Sequence, residues 1–315
     1  MELRQLRYFV AICEEMSFSG AALRLRIAQP ALSQQIKNLE TELRVELLVR
    51  ESRGVRPTAA GVRFLEHARQ IVDGMAHAVD SARGAHAEPE GTVRFGMPGP
   101  VCEIIGVPLI ESLKDRFPAV HLHIVEAMSG YVLEWLRSGR IDVALLYVTS
   151  ETAGLPGETV FREDLHLIAP ACTFPPLTRE GRVAFKTVTE LDLILPGRMH
   201  GLRRVLESFA KKAGCALSPV METDSYGLMK QLVARGHGYC ILPPGSILQE
   251  RAAGLLMNYP IDTPSLSRDV AIAFASARPP QLVVTTVATA CRETIGSLVA
   301  SGVWQGAPVS DRHSG

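Results

Sequence analysis

Between residues 91 and 300 the chain alternates short apolar segments with amphipathic ones, and it does so twice in the same order. The first cycle runs through GTVRFGM, IIGVPLIESLKDRFP, VHLHIVEA, GYVLEWLRSGR and IDVALLYV. The second runs through DLILP, HGLRRVLESFAKKAG, SPVMETD, YGLMKQLVARGHG and YCILP. Short apolar runs bounded by turn residues indicate strands, and longer periodic runs indicate helices. Each cycle therefore predicts a βαβαβ unit, and the fold class is α/β with parallel sheets wound by helices.

Two further strand-like segments lie outside this repeated order. FREDLHLIAPA (161–171) separates the two cycles, and SRDVAIAFA (267–275) follows the second. We expect these segments to be the two crossings that connect the halves. The predicted organisation is lobe I at about 91–160 and 269–300, lobe II at about 161–268, and a flexible tail at 301–315.

The first 58 residues have a different pattern, of short helices followed by a hairpin. In AQPALSQQIKNLE, Leu32, Ile36 and Leu39 recur at helical spacing, which predicts a helix over 29–39. Its other face carries hydrogen-bonding side chains with a single cation: Ser33, Gln34, Lys37 and Asn38. The preceding SGAALRL is small enough for a second helix to pack closely, which makes a helix-turn-helix. LLVRESRGVRPT then predicts a β-hairpin, or wing, that carries Arg50, Arg53 and Arg56.

A long helix is predicted over 58–86, with Thr58 as its N-cap. Its apolar residues follow a heptad spacing at Phe64, Ala68, Ile71, Met75, Ala78 and Ala82. A narrow seam of this kind is typical of helices that pair in coiled coils. The seam is compatible either with dimerisation or with packing against the helix's own domain. AEPEG (87–91) breaks the helix, so 59–90 is expected to be a linker helix and hinge.

Composition narrows the class of protein. The chain has 315 residues and a formal net charge of zero, and residues 1–60 hold nine Lys and Arg against seven Asp and Glu. The six cysteines are scattered without a C-x-x-C pair, which suits a reducing cytoplasm and predicts no metal site. The N-terminus lacks the uninterrupted apolar stretch of a secretory signal. No apolar run approaches the length of a membrane span. No cofactor is implied.

Three stretches carry a resemblance to the LysR-type transcriptional regulators. They are the first 61 residues from MELRQLRYFV to RPTAAG, then LRSGRIDVALL, and then GHGYCILP. The resemblance implies an N-terminal winged helix-turn-helix, a long linker helix, and a two-lobed effector domain like periplasmic binding proteins. It also implies a dimer of dimers, double-stranded promoter DNA and RNA polymerase as partners, and a ligand in the inter-lobe cleft. GMPGP and ILPGRMHGLRR resemble the branch of nitrogen assimilation regulators.

The predicted DNA contacts divide into two classes. Amide, hydroxyl and ammonium groups suit base edges in the major groove, and arginines suit phosphates, which position a protein without specifying sequence. The expected base-contacting residues are Gln29, Pro30, Ser33, Gln34 and Lys37. The expected phosphate-binding residues are Arg50, Arg53 and Arg56. Ala28 stands where the family often has Ser, so a cap or a phosphate contact is lost. The alternative is an ordinary solvated helix face.

The predicted effector site rests on three helix starts, because free N–H groups there bind anions such as carboxylates. The residues expected around the ligand are Met97, Pro98, Gly99, Pro100, Cys102, Ser129, Pro196, Arg198, His200, Leu202 and Arg203. Pro100 stands where the family usually has a hydroxyl, whereas Ser129 keeps one. Alternatively, Ser129 is a plain N-cap, Arg203 lies on an exposed helix face, and His200 is a surface residue.

The sequence alone is also compatible with other functions. Cys102 lies near a helix start, where the pKa of a thiol tends to fall, so a thiol-based redox-sensing regulator is one alternative. A cytoplasmic solute-binding protein without a DNA role would explain 91–300 but would leave 1–86 without purpose. The motifs G-x-S-x-G, H-E-x-x-H and GxxxxGK[ST] are absent from the sequence, so we expect no enzyme.

Overall fold

A computed structural model describes residues 1–51, 54–83, 88–198, 200–262, 266–275 and 280–307. The chain divides into two compact units: the first comprises Met1–Glu88 with the short segments Arg137–Arg140 and 280–282, and the second comprises the other described residues. The predicted fold class, a helix-turn-helix domain followed by a mixed α/β domain, is confirmed.

The first unit is helical, with a small hairpin. Its elements are α1 (Leu3–Glu15), α2 (Phe18–Leu25), α3 (Gln29–Leu43), β1 (Leu48–Glu51), β2 (Gly54–Pro57) and α4 (Ala59–Arg83). The Ser17 hydroxyl caps α2 by accepting from the Gly20 N–H at 3.2 Å. Arg26 ends α2 in the left-handed conformation, which turns the chain into α3. β1 and β2 pair antiparallel as the predicted wing.

The apolar stripe of α3 is buried as its spacing predicts. Leu32, Ile36 and Leu39 are each at most 2% exposed and belong to one core cluster with Phe9 of α1. Full burial of a side chain of this size contributes roughly 1.5–3 kcal/mol. Because the stripe is fixed inward, the polar side chains on the other face of α3 are held toward solvent.

The seam of α4 divides into two parts. Ala68 is fully buried, and the ring of Phe64 lies 5.3 Å from that of Phe9, so the first part packs against the helix's own domain. Farther along, Ile71 and Met75 are each 47% exposed. The Ala82 side chain, the hinge residues 84–87 and Arg53 lie outside the described residues. Among the seam residues whose side chains are described, the second part is therefore the one available to another chain.

The second unit begins with a six-stranded sheet in the order β14-β6-β13-β5-β3-β4. Its strands are β3 (Gly91–Met97), β4 (Val120–Glu126), β5 (Val143–Tyr147), β6 (Gly157–Asp164), β13 (Ser267–Phe274) and β14 (Gly306–Ala307). The accompanying helices are α5 (Gly99–Arg116), α6 (Ser129–Arg137) and α11 (Leu282–Ala300). β3 is parallel to both β4 and β5, as the first βαβαβ cycle predicts. β13 and β6 run antiparallel within the same sheet.

The rest of the second unit holds a four-stranded sheet, β11-β7-β12-β8, and a parallel pair, β9 and β10. These strands are β7 (His166–Pro170), β8 (Val183–Ala184), β9 (Ile194–Leu195), β10 (Met221–Glu222), β11 (Cys240–Leu242) and β12 (Leu256–Asp262). The helices are α7 (Phe185–Thr189), α8 (Gly201–Lys212), α9 (Tyr226–Ala234) and α10 (Leu248–Ala252). β7 is the central partner of β11 and β12, so a crossing segment, not the second βαβαβ cycle, forms the middle of this sheet.

The lobes are joined where strands pass from one sheet to the other. β6 ends at Asp164 and β7 begins at His166, and between them the Leu165 N–H donates to the Leu266 carbonyl at 2.8 Å. We name the described residues of 89–164 and 267–307 lobe I, and the described residues of 165–262 with Leu266 lobe II. The segment expected to be the second crossing, 267–275, lies inside the lobe I sheet.

The flexible tail expected at 301–315 is wrong for residues 301–307. Trp304 is 1% exposed, and its ring lies 5.4 Å from that of Phe161. Its indole Nε1–H donates to Glu163 Oε1 at 2.9 Å, and β14 adds a strand to β6. A large aromatic ring with a satisfied N–H is stable in a core. Residues 308–315 lie outside the described residues.

Helix α11 is long and apolar enough to span a membrane by length and composition, with a mean hydropathy of 1.3 over its best 18-residue window. In lobe I it is a core helix. Val283, Val287 and Cys291 are each at most 3% exposed and lie in the same cluster as Phe95 of the sheet.

Candidate DNA-binding and effector-binding sites

The polar face of α3 is exposed and ordered by its own hydrogen bonds. Gln34 and Lys37 are exposed, and Gln29 and Ser33 are half-buried. Gln29 Nε2 donates to Ser33 Oγ at 3.2 Å, and Gln34 Nε2 donates to Asn38 Oδ1 at 2.9 Å. Paired side chains lose less conformational freedom on binding, so the face is preorganised for contacts with a partner.

Arg50 does not extend from the wing but lies against the polar face of α3. Its Nη2 donates to Ser33 Oγ at 3.3 Å, and its guanidinium lies 4.7 Å from the centre of the Phe18 ring. Arg56 instead forms an ion pair with Glu51 across the hairpin. Arg50 is therefore the described wing arginine that joins the surface of α3.

A concave surface of about 820 Å³ runs between α3 and the start of β1. Pro30, Gln34 and Lys37 line one side, and Leu48 and Arg50 line the other. Every expected base-contacting residue of α3 borders it. The residues chosen from the sequence are thus brought together on one surface.

The start of α5 does not match the expected anion site. Glu126, at the end of β4, places Oε1 3.0 Å from the position that a Cβ on Gly99 would occupy. Pro100 in the first turn has no N–H to donate. Met97 is fully buried in the lobe I core. A carboxylate of the chain itself lies at this helix start, so a second anion would be repelled there.

The expectation of a lowered thiol pKa at Cys102 is wrong. Burial, with the nearby carboxylates of Glu126 and Glu103, raises the pKa of Cys102 to about 11. Burial also raises the pKa of Cys13 to about 12 and raises those of Cys240 and Cys291. A raised pKa keeps a thiol protonated and unreactive. Within the described ranges, no group of three or more His, Cys, Asp or Glu could hold a metal ion.

His200 is a capping residue, not a free surface histidine. Its Nδ1 accepts from the Leu202 N–H at 3.1 Å, and its Nε2 lies 3.2 Å from the Tyr226 hydroxyl. Burial lowers the pKa of His200, which favours the neutral ring that this cap requires. Leu202 is fully buried in the lobe II core, and Arg198 is exposed in the preceding loop.

Arg203 is committed to contacts inside lobe II. It is 1% exposed; Nε donates to Glu207 at 2.8 Å, and Nη1 donates to Glu222 at 2.9 Å and to the Pro196 carbonyl at 3.3 Å. These contacts tie α8 to β10 and to the loop before α8. The alternative of an exposed helix face disagrees with this placement. Arg203 Nη2 is buried without a hydrogen-bond partner among the described residues, so a ligand contact by Arg203 stays a prediction.

Ser129 lies where two helix starts approach each other. It is the first residue of α6, and its Oγ is 3.6 Å from the position that a Cβ on Gly201, the first residue of α8, would occupy. The Ser129 hydroxyl is buried and has no hydrogen-bond partner among the described residues. It therefore does not act as the plain N-cap that was its alternative role.

Arg268 completes this site, and the sequence analysis missed it. Arg268 is 5% exposed; its Nε donates to Glu163 Oε2 at 2.6 Å, and its Nη2 donates to the Tyr147 hydroxyl at 2.7 Å. Its Nη1 is buried without a hydrogen-bond partner in the part of the chain that the structure describes, and the Tyr226 hydroxyl lies near the same guanidinium. Alternation along β13 could have indicated it, because Arg268 has the same parity as the buried Val270 and Ile272.

A cavity of about 20 Å³ lies between these groups, lined by Ser129, Gly201 and Arg268 among others. Two ion pairs also join the lobes. Arg204 of lobe II forms a bidentate pair with Glu151 of lobe I. Lys230 of lobe II lies 3.0 Å from Glu103 of lobe I.

The chain is similar to known regulators over nearly its whole length. Residues 86–296 match the LysR substrate binding domain, and residues 3–62 match the bacterial regulatory helix-turn-helix protein, lysR family. The nitrogen assimilation regulatory protein nac of Klebsiella aerogenes is 32% identical over 277 residues, which cover 86% of this chain and 88% of that protein.

The chain is also similar to a second curated regulator and to a solved structure. A probable hydrogen peroxide-inducible genes activator of Streptomyces viridosporus is 30% identical over 299 residues, or 94% of this chain and 95% of that protein. The solved structure of a full-length OxyR variant from Pseudomonas aeruginosa aligns with a TM-score of 0.79 and 24% identity, covering 99% of each chain. At that identity the structure supports the fold alone.

Proposed function

The chain belongs to the LysR family of bacterial transcriptional regulators, and on that premise we propose that it binds promoter DNA through α3 and responds to a small anionic metabolite between the lobes. The observation that carries the proposal is the exposed, internally hydrogen-bonded row on α3 beside Arg50. A neutral amide and hydroxyl surface can pair with base edges, and the arginine can pair with a phosphate.

Two variants test whether sequence specificity and overall DNA affinity depend on different residues. Replacing Gln34 with Ala should weaken binding to the native operator by about 1–3 kcal/mol and leave binding to a random duplex nearly unchanged, because an amide pairs with one base edge. Replacing Arg50 with Ala should weaken binding to both duplexes alike. It should also reduce the slope of log affinity against log salt concentration by about one, because one phosphate contact is lost. Fluorescence anisotropy with labelled duplexes measures both.

Gln231, an exposed residue of α9, offers the matched control. Replacing Gln231 with Ala removes the same side chain from a helix surface and should change neither affinity. Equal losses on operator and random DNA for the Gln34 variant would contradict a base contact.

The exposed part of the α4 seam supports assembly. Ile71 and Met75 are large apolar side chains at heptad spacing, each 47% exposed, as in helices that pair with a second copy. The proposed assembly is a dimer through α4 and a tetramer of two such dimers in the cytoplasm, with RNA polymerase as a further partner at the promoter.

The proposed effector response follows from the two-lobed architecture. A ligand that contacts Ser129 of lobe I and Gly201 of lobe II favours the arrangement in which the lobes are close. It shifts the equilibrium only by its difference in affinity for the two arrangements. Operator DNA must therefore change ligand affinity by the same factor that the ligand changes DNA affinity.

The alternatives are less well supported. A thiol sensor needs a reactive thiolate, and burial raises the pKa of four of the six cysteines, including Cys102. A solute-binding protein without a DNA role leaves the ordered polar face of α3 unexplained. We propose a binding protein without catalysis.

A further inference from the structure

Two buried hydrogen-bond donors have no partner among the described residues, and they belong to residues that line one cavity. They are Arg268 Nη1, on a side chain that is 5% exposed, and Ser129 Oγ. An unpaired buried donor is unfavourable, and a hydrogen bond to an acceptor removes that penalty. Nη1 of an arginine can only donate, and a serine hydroxyl can donate as well, so the missing partner is an acceptor.

The charges around the cavity set how much negative charge that acceptor can carry. Arg268 is neutralised by Glu163, and Arg204 by Glu151, so the side chains sum to zero. The starts of α6, with nine residues, and α8, with 12 residues, meet at Ser129 and Gly201. Each helix start carries about half a positive charge, so the two together balance about one negative charge.

We infer, resting on the proposed function, that the cavity takes the carboxylate of a monocarboxylate, bound by Arg268 Nη1 and Ser129 Oγ, and that a second negative charge on the ligand is rejected. The second charge would meet Glu151 at the mouth of the cavity without a cation to balance it. Dicarboxylates and phosphate dianions are therefore disfavoured.

The size of the cavity indicates where the rest of the ligand lies. Its volume of about 20 Å³ is small, since one water needs roughly 10–15 Å³, so a carboxylate head nearly fills it. Leu133, Leu146 and Val205 also line it and suit a short apolar body. The Arg204–Glu151 pair also lines the cavity and stays formed when the carboxylate is bound, so Arg204 offers no free charge to a second anionic group.

The test compares ligands of one and two charges. Propionate and butyrate are titrated against malonate, succinate and inorganic phosphate at constant ionic strength, by calorimetry and by thermal shift of the full chain. We expect a monocarboxylate to bind at least about tenfold more tightly than the dicarboxylate of similar length. Dicarboxylates or phosphate binding equally well would overturn the inference, and so would no monocarboxylate binding.

Three variants assign the contacts. Replacing Ser129 with Ala should lower monocarboxylate affinity about tenfold without unfolding the chain, because the hydroxyl makes no hydrogen bond to a described residue. Replacing the exposed Ser301 with Ala is the matched control and should change nothing. Replacing Glu151 with Gln frees the charge of Arg204 and should strengthen succinate binding about tenfold. Unchanged affinities in the Ser129 and Glu151 variants would overturn the assignment.

Operator binding by the unliganded chain tests the proposed function separately. If the chain binds operator DNA but fails the ligand comparison, only the monocarboxylate inference falls. If it selects monocarboxylates but does not bind operator DNA, the inference about the cavity stands and the regulatory function falls.

Discussion

Replacing Glu163 with Ala is expected to lower the free energy of unfolding of the second unit by about 3–5 kcal/mol. Glu163 is fully buried and binds the buried Arg268 guanidinium at 2.6 Å and the Trp304 indole N–H at 2.9 Å. Its removal leaves a buried cation uncompensated and an indole N–H unpaired. Urea denaturation followed by far-UV circular dichroism measures the change. Replacing Glu163 with Gln should cost less, because the amide oxygen still accepts a hydrogen bond.

The same pair of strands provides the matched control. Arg162 and Asp269 are adjacent in sequence to the buried pair and form a bidentate ion pair across β6 and β13, but on the exposed face. Because solvent screens such a pair, replacing Asp269 with Ala should cost at most about 1 kcal/mol. Similar losses for the Glu163 and Asp269 variants would show that burial does not set the strength of the first pair.

Replacing Trp304 with Ala is expected to cost about 3–5 kcal/mol, the usual loss for deleting a buried large aromatic side chain. The indole is 1% exposed and packs edge-on against Phe161. Replacing Trp304 with Phe should recover much of this loss, because an aromatic ring still packs in the core. The recovery is incomplete because the N–H donor is lost. Urea denaturation of each variant measures these effects.

Phe174, which is 79% exposed in lobe II, is the control for deleting an aromatic side chain. Replacing Phe174 with Ala should change stability by less than about 0.5 kcal/mol. A Trp304 variant as stable as the Phe174 variant would mean that residues 301–307 are the flexible tail that the sequence suggested.

Local periodicity predicted the parts of the fold in which neighbouring residues decide the structure. The stripe Leu32, Ile36 and Leu39 is buried, and β3 and β4 match the first apolar segments within one residue. Strand pairing is different, because an apolar run shows that a strand is buried but not which strand it pairs with. The central place of β7 in its sheet depends on such a distant pairing.

The candidate site was predicted only in part, because local sequence does not show which distant residues come into contact. Ser129 follows from a local signal, a hydroxyl before an amphipathic helix. Arg203 and Arg268 depend on partners that are distant in sequence: Glu222 allows Arg203 to be buried within lobe II, and Glu163 allows Arg268 to be buried beside the cavity. Charged residues are rarely buried unless they are paired, so a charged residue is predicted to be exposed until its ion-pair partner is known. Glu126 at the start of α5 is likewise placed there by the parallel register of β3 and β4.

The central claim is that a ligand in the cavity between the lobes controls DNA binding. The most direct test measures operator affinity by fluorescence anisotropy with and without saturating propionate or butyrate, whichever binds more tightly, for the unmodified chain and the Ser129→Ala variant. We predict that the ligand changes operator affinity of the unmodified chain at least about fivefold, the lower end of typical coupling, and that the Ser129 variant needs about tenfold more ligand for the same change. An operator affinity that is the same with and without bound ligand would contradict the account.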